Sequence, residues 1–374
     1  ELRGPRNCEP PQVIRRSELM TTTLKPNPQS DLSADLRGSQ LPSWAPKAIT
    51  ALAAVVAVAG WFTALGPVRG LVLAWLIAAV LPLWSSVIEG KRKATDRLVT
   101  LLVVSAFGLA VIPLVSILAS VIGKGAQALS VEFFTYSMRN VVGEGGGIYH
   151  ALVGTLLITA AAAVISVPIG LFTAIYLIEY GEDGRLASSI RFLVDVMTGI
   201  PSIVAGLFAY ALFVIFFGEG VRMGIGGSVA LSVLMIPVVV RSCEEMLKLV
   251  PNELREASYA LGVPKWRTIS KVVLPTALAG IVTGITLAIA RVSGETAPLL
   301  IIAGMTDSVN FNLFDGRMAT LPVFTYSSLM QPGVPPEPSI ERAWGAALVL
   351  LIIVMVLNLI ARLVSYYFSP KGER

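Results

Sequence analysis

Eight stretches of this chain are apolar for long enough to cross a bilayer, and no soluble core can absorb that many. A helix needs about 20 mostly apolar residues to cross roughly 30 Å of hydrocarbon. Such runs occupy Lys47–Leu65, Gly70–Ile88, Leu98–Ile122, Ala151–Ile178, Phe192–Phe217, Gly224–Val240, Thr276–Ala303 and Ala343–Phe368. Inside hydrocarbon each backbone N–H and C=O must be satisfied within the protein, so these runs predict an all-α, polytopic membrane bundle of about eight helices. The alternating segments of about ten residues that build a membrane barrel are absent. Only 14% of the residues are charged, against about 25% in a soluble domain. With a mean hydropathy of +0.74, that excludes a soluble enzyme, a disordered scaffold and a disulfide-stapled secreted domain.

Lys and Arg set the orientation, because positive loops stay in the cytoplasm. With the N-terminus inside, 22 of the 29 basic residues fall on cytoplasmic segments and six outside, and the one remaining, Arg291, lies deep inside the seventh span. This predicts both termini in the cytoplasm and explains the basic pI of 9.2 without nucleic acid as a partner. Residues 1–46, rich in Pro, Ser, Asp and Arg, read as a mobile cytoplasmic tail. Residues 47–89 form an additional transmembrane hairpin, and residues 90–374 the main membrane domain. Cys8 and Cys243 both fall on the reducing side, and with the single His150 they make no convincing metal site, so no metal is expected.

Two segments between the spans hold local signals. The run Gly143-Glu-Gly-Gly-Gly147 is either a phosphate cradle or a flexible loop leading into the fourth span. The outside segment Gly304–Arg342 carries several prolines and is expected to cap the bundle with one short helix near Met318–Met330. More informative is the cytoplasmic loop 241–275. Pro251 suits a first helical turn, Gly262 supplies a left-handed stop, and Pro264 starts a second helix that closes at Pro275. The segment reads as a helix–turn–helix at the membrane surface. From the residues alone it is an amphipathic connector or a docking element.

Arg291 and Glu295 stand out independently. An ionised side chain at mid-membrane costs roughly 3 kcal/mol, and two opposite charges four residues apart on one helix can neutralise each other. Gly280, Gly284 and Ala288 share that face and permit close helix approach. The pair is either a packing lock or an anion station, in which a guanidinium meets phosphate oxygens bidentately and a carboxylate keeps binding reversible. Arg241, at the end of the sixth span, is either a snorkelling anchor or part of the same path. Pro201-Ser202 breaks the fifth span, freeing backbone groups for a cavity or only kinking the helix.

Several of these stretches together resemble a known family. Glu256-Ala257-Ser258, then Gly262, then Leu274-Pro275 are similar to the E-A-A, three residues, G, nine residues, I-x-L-P signature of bacterial ABC importer permeases, with Ser258 and Val272 as departures. Asp195-Val-Met-Thr-Gly-Ile-Pro-Ser-Ile-Val-Ala-Gly206, Arg291-Val-Ser-Gly-Glu-Thr-Ala-Pro-Leu-Leu300 and Gly147-Ile-Tyr-His-Ala-Leu-Val-Gly-Thr155 resemble the phosphate-specific permeases of the A type. The resemblance spans roughly residues 95–370. The first two spans lie outside it, since such permeases usually have six.

The resemblance implies a permease subunit of an ATP-driven importer for inorganic phosphate, in the bacterial plasma membrane. Its implied coupling residues are Glu253, Glu256, Ala257, Ser258 and Gly262, in a helix that docks on an ATPase. Its implied substrate path runs by Arg291, Glu295, Thr296, Arg241 and Ser202. Implied partners are a second homologous permease, two ATP-binding subunits, an extracytoplasmic phosphate-binding protein and membrane lipid. ATP and Mg belong to the ATPase, since no G-x-x-x-x-G-K-[ST] occurs here and this chain binds no cofactor. The chain is therefore expected to be a pore subunit and not an enzyme. The alternatives are a permease for another oxyanion or polar nutrient, and an ion-driven secondary transporter, for which inverted repeats and several intramembrane carboxylates would be expected.

Overall fold

The computed structural model describes residues 41–62, 66–181 and 184–368. Among these residues every regular element is a helix: α1 Trp44–Phe62, α2 Pro67–Ile88, α3 Lys91–Ala128, α4 Val131–Thr135, α5 Tyr149–Ile175, α6 Arg185–Thr198, α7 Ser202–Phe217, α8 Gly224–Lys248, α9 Asn252–Ala260, α10 Lys265–Thr268, α11 Leu274–Val292, α12 Ala297–Ile302, α13 Leu321–Met330 and α14 Glu337–Phe368. Short π-helical turns extend α5 through Tyr176–Tyr180 and join α10 to α11 through Ile269–Val273. The chain divides into one compact unit ending at Leu114 and another from Val115, with the break inside α3.

In the first unit α1 and α2 form a hairpin. Gly60 and Gly70 touch where the two helices cross: a Cβ on Gly60 would sit 2.6 Å from the Gly70 Cα, so only glycine allows that approach. Helix α1 begins at Trp44, inside the segment read as a tail, whose residues before Leu41 lie outside the described residues. At the turn into α3, Glu89 accepts from the Leu41 backbone N–H at 3.1 Å and the Ser85 hydroxyl at 2.7 Å, and pairs with Arg97 at 2.7 Å.

The second unit is built around α8. Helix α5 lies against it through polar small residues: the Ser228 and Ser232 hydroxyls donate to the Ile158 and Ala162 carbonyls at 3.1 and 3.4 Å. Interhelical bonds of this kind are the glue available where lipid offers no hydrophobic drive between helices. Helix α11 approaches the other side of α8 through the expected small-residue face. Gly284 leaves room for Ser242 and Gly280 for Met246, and Ala288 is buried. The core runs from Ile158 and Ala162 through Met235, Val239 and Cys243 to Val273, Ile281 and Leu299.

Each of the eight apolar runs falls mainly on helix among the described residues, but two are not straight spans. Six helices have the length and composition to cross a membrane, and α1 is a shorter apolar helix. The fifth run is bent by 109° between α6 and α7. Gly199-Ile200-Pro201 causes this: proline offers no N–H to the ladder and biases the residue before it away from the helical region. The seventh run stops at Val292 and resumes at Ala297, since Gly294 weakens the helix and Pro298 has no N–H for the Gly294 carbonyl. The sixth helix continues past Val240 to Lys248, so the loop following it begins later than expected. Pro275 does not close the second loop helix. The π turn Ile269–Val273 carries the chain into α11 with Pro275 in its first turn, where a missing N–H is harmless.

The glycine run at 143–147 is pinned. Gly143, Gly145 and Gly146 take positive φ, and the carbonyls of Gly143 and Gly145 accept from Arg342 at 2.8 and 2.9 Å. A loop that turns carbonyls toward a cation is the reverse of a phosphate cradle, which needs converging N–H groups. The short helix expected near Met318–Met330 is α13.

Candidate functional site

The two helix breaks meet. The bend between α6 and α7 and the break after α11 enclose a cavity of about 220 Å³ with α8 along its wall. Thr198 and Ser202 from the two sides of the bend, and Arg291 and Glu295 from the two sides of the other break, supply its polar lining. Leu234, Pro237 and Val238 of α8 supply the apolar side. Breaks of this kind are tolerated at membrane depth where irregular backbone borders a cavity. Ser202 is the first residue of α7, so the positive end of that helix dipole adjoins the space.

Arg291 and Glu295 are not the helical i,i+4 pair that spacing suggests. Helix α11 ends between them, and among the described residues no ion pair or hydrogen bond involves the Arg291 side chain. Arg291 is exposed toward the cavity and Glu295 is half-buried. The guanidinium lies in the last turn of α11, where a cation also complements the carbonyl end of that helix. Thr296 is half-buried at the start of α12 and does not line the cavity.

Arg241 follows Val238 by less than one turn on α8, outside the cavity lining. It is not a free anchor at the interface. Its Nη1 donates to Glu244 at 3.2 Å, and its Nη2 pairs with Asp195 of α6. Glu244, 2% exposed, also meets Lys248 at 2.8 Å and Arg191 at 3.6 Å. Three cations therefore surround one buried carboxylate, and Asp195 brings the second negative charge. The sequence did not reveal the clustering of Arg191, Asp195 and Glu244 with Arg241, because the cluster is assembled from α6 and α8, which are remote in sequence.

The loop from α9 to α10 is a rigid turn. Gly262 has φ +75°, its N–H reaches the Tyr259 carbonyl at 2.9 Å, and the Val263 N–H reaches the Ser258 carbonyl at 3.2 Å, as in a Schellman helix end. Ser258 is buried and its hydroxyl meets the Thr268 hydroxyl at 2.8 Å, which ties α9 to α10. That contact gives a reason for a hydroxyl where the signature this loop resembles has alanine. Glu253, Glu256, Ala257 and Gly262 face outward, with Leu261 83% exposed at the tip. Arg255, to which the sequence assigned no role, anchors this loop. It donates to Glu179 at 2.9 and 3.1 Å, to the Val250 and Leu247 carbonyls at 2.6 and 3.0 Å, and to the Asn252 side chain at 3.2 Å. The signal available was Glu179 itself, a carboxylate ending an apolar helix, which demands a partner.

Among the described residues no group of His, Cys, Asp and Glu is placed to hold a metal ion. Cys243 is buried and free.

Comparison with known proteins bears on these features. The family model for the binding-protein-dependent transport system inner membrane component matches residues 166–374. The phosphate transport system permease protein PstA 1 of Mycobacterium tuberculosis is 47% identical over 284 residues, covering 75% of this chain and 92% of that protein. The phosphate transport system permease protein PstA of Mycobacterium leprae is 46% identical over 275 residues, 73% of this chain and 89% of that protein. Its counterpart in Pasteurella multocida is 40% identical over 75% of this chain and 97% of that protein. An inward-facing methionine ABC transporter matches 60% of this chain and 95% of that one at 19% identity, with a TM-score of 0.47.

Proposed function

Because the chain belongs to the family of binding-protein-dependent transport system inner membrane components, we propose that it is the pore subunit through which an ATP-driven importer moves inorganic phosphate into the cytoplasm. The observation that carries this reading is the cavity between the helix breaks, in which the Arg291 guanidinium faces open space with no partner among the described residues. A bilayer-embedded cation left unsatisfied is costly, and a planar fork of donors beside the Thr198 and Ser202 hydroxyls fits a tetrahedral oxyanion. Glu295, on the same lining, opposes permanent capture, as transport requires release. Among its relatives, the permeases named above are phosphate transport proteins, which supports the same substrate here.

In this reading Arg291, Glu295 and Ser202 line the path, with Thr296 and Arg241 beside it. The exposed face of α9 and its turn, with Glu253, Glu256, Ala257 and Gly262, docks on an ATPase, and Ser258 holds that turn together. The partners are a second homologous permease, two ATP-binding subunits and an extracytoplasmic phosphate-binding protein. ATP and Mg bind the ATPase and not this chain, which has no catalytic role. The site is the plasma membrane of a bacterium, with both termini and the α9–α10 loop in the cytoplasm.

Phosphate uptake by proteoliposomes holding the assembled complex tests the central claim. Arg291→Lys keeps the charge and loses the planar fork, so uptake should collapse while the complex stays assembled. Wild-type uptake in that variant would reduce Arg291 to a helix-end charge. A cysteine placed at exposed Leu261 tests the orientation: a membrane-impermeant reagent should reach it only after the cells are opened.

A further inference from the structure

We propose that Asp195 is an internal rival of the transported anion, handing Arg241 over as phosphate leaves the cavity and taking it back afterwards. This rests on the phosphate reading of the cavity and assigns a role to a residue outside its lining. Thr198 lines the cavity and Asp195 precedes it by one turn of α6; Val238 lines it and Arg241 follows on α8. The Asp195–Arg241 pair therefore ties together the two helices that wall the cavity, on the side from which α8 runs down to the coupling loop.

The two ends of the Arg241 fork differ. The inner nitrogen is held by Glu244, which is buried and itself gripped by Lys248 and Arg191. That side fixes where the guanidinium stands. The outer nitrogen meets Asp195, which is 56% exposed, while Arg241 is 37% exposed. A carboxylate so open to water leaves its partner at small cost. When it leaves, Arg191, Arg241 and Lys248 stand against Glu244 alone. The cluster then has two surplus positive charges, and Arg241, its member within one turn of the cavity lining, offers the freed donor to an oxyanion. When Asp195 returns, its carboxylate takes back the outer nitrogen and displaces the anion. Neither Arg291, which has no rival carboxylate bonded to it among the described residues, nor Arg255, whose donors are all engaged within the protein, can exchange partners in this way.

Inhibition of uptake by inorganic phosphate on the cytoplasmic side reads this exchange directly. It is measured with the full complex in proteoliposomes loaded with graded internal phosphate. Asp195→Asn and Asp195→Ser remove the rival charge, so the internal phosphate needed for half-inhibition should drop roughly fivefold. Maximal uptake should fall with it, as release slows. Asp195→Glu keeps a carboxylate and should behave as wild type. A merely structural tie between α6 and α8 would lower uptake in the Asn and Ser variants without moving the half-inhibitory concentration. That result, with phosphate uptake intact in the wild type, overturns the exchange and leaves the reading of the cavity standing. Wild-type complexes that take up no phosphate overturn both.

Discussion

Arg255 and Arg291 belong to the same unit, yet the protein treats them in opposite ways. Arg255 donates to Glu179, two backbone carbonyls and an Asn side chain, and its guanidinium is used up inside the protein. Arg291 lines a cavity and meets no acceptor among the described residues. The first arrangement makes a rigid element, a loop anchored to the end of α5 and the end of α8. The second leaves binding capacity for something that is not protein. Counting satisfied donors therefore separates an arginine used up inside the fold from one with donors to spare, which neither charge nor depth in the bundle does by itself.

The largest effect expected from this contrast is on stability at Arg255. Replacing it with Met strands Glu179, whose side chain is 3% exposed, and breaking a buried pair costs about 3–5 kcal/mol. Chemical unfolding of the detergent-purified chain should register that loss, and Glu179→Gln combined with Arg255→Met should recover much of it. Arg291→Met in the same assay should stay within about 0.5 kcal/mol of wild type. Equal losses at the two positions would break the comparison.

Uptake should show the opposite ranking. Loss of charge-assisted bonds made only to a ligand is worth about 1.5–3 kcal/mol, so Arg291→Lys should lower phosphate uptake by roughly tenfold to a hundredfold. A smaller effect belongs to Gly262. A Cβ there meets open space, so the strain is in the backbone alone, about 1–2 kcal/mol for a non-glycine residue at positive φ. Gly262→Val should insert normally but release ATP hydrolysis from its dependence on transport, measured as ATPase activity without substrate. Ser258→Ala removes the hydroxyl contact to Thr268 and should destabilise the loop by about 1 kcal/mol.

The smallest effect expected is at Glu89, a second saturated charge, in the first unit. Burial pushes its carboxyl up. The Ser85 and Leu41 hydrogen bonds and the Arg97 and Lys93 charges outweigh that and hold it below its ordinary value. A depressed folded value contributes stability above the unfolded value and loses it as pH falls through the folded one. Wild-type melting temperature should therefore decline on acidification below pH 4.5 more steeply than that of Glu89→Gln.

The sequence by itself determined the fold class, because apolar runs of that length admit no other way to satisfy the backbone. It also determined the Gly262 turn, since a left-handed helix end is written locally in one glycine between two prolines. That some helix would approach α11 closely was equally legible, as a stripe of Gly280, Gly284 and Ala288 needs only helical periodicity to be read; that this helix is α8 was not. The cavity was half legible. Pro201 and the chemistry of Arg291 and Glu295 marked its residues, but periodicity carried one helix through Ser293–Thr296 and made those two a neutral pair. Only the tertiary structure decided that the helix ends there and that a bend about ninety residues earlier in the chain meets the break. Partner choice was decided the same way. Glu179 with Arg255, and Asp195 with Arg241, lie 76 and 46 residues apart, and no local preference encodes which distant charge a folded chain will bring within reach.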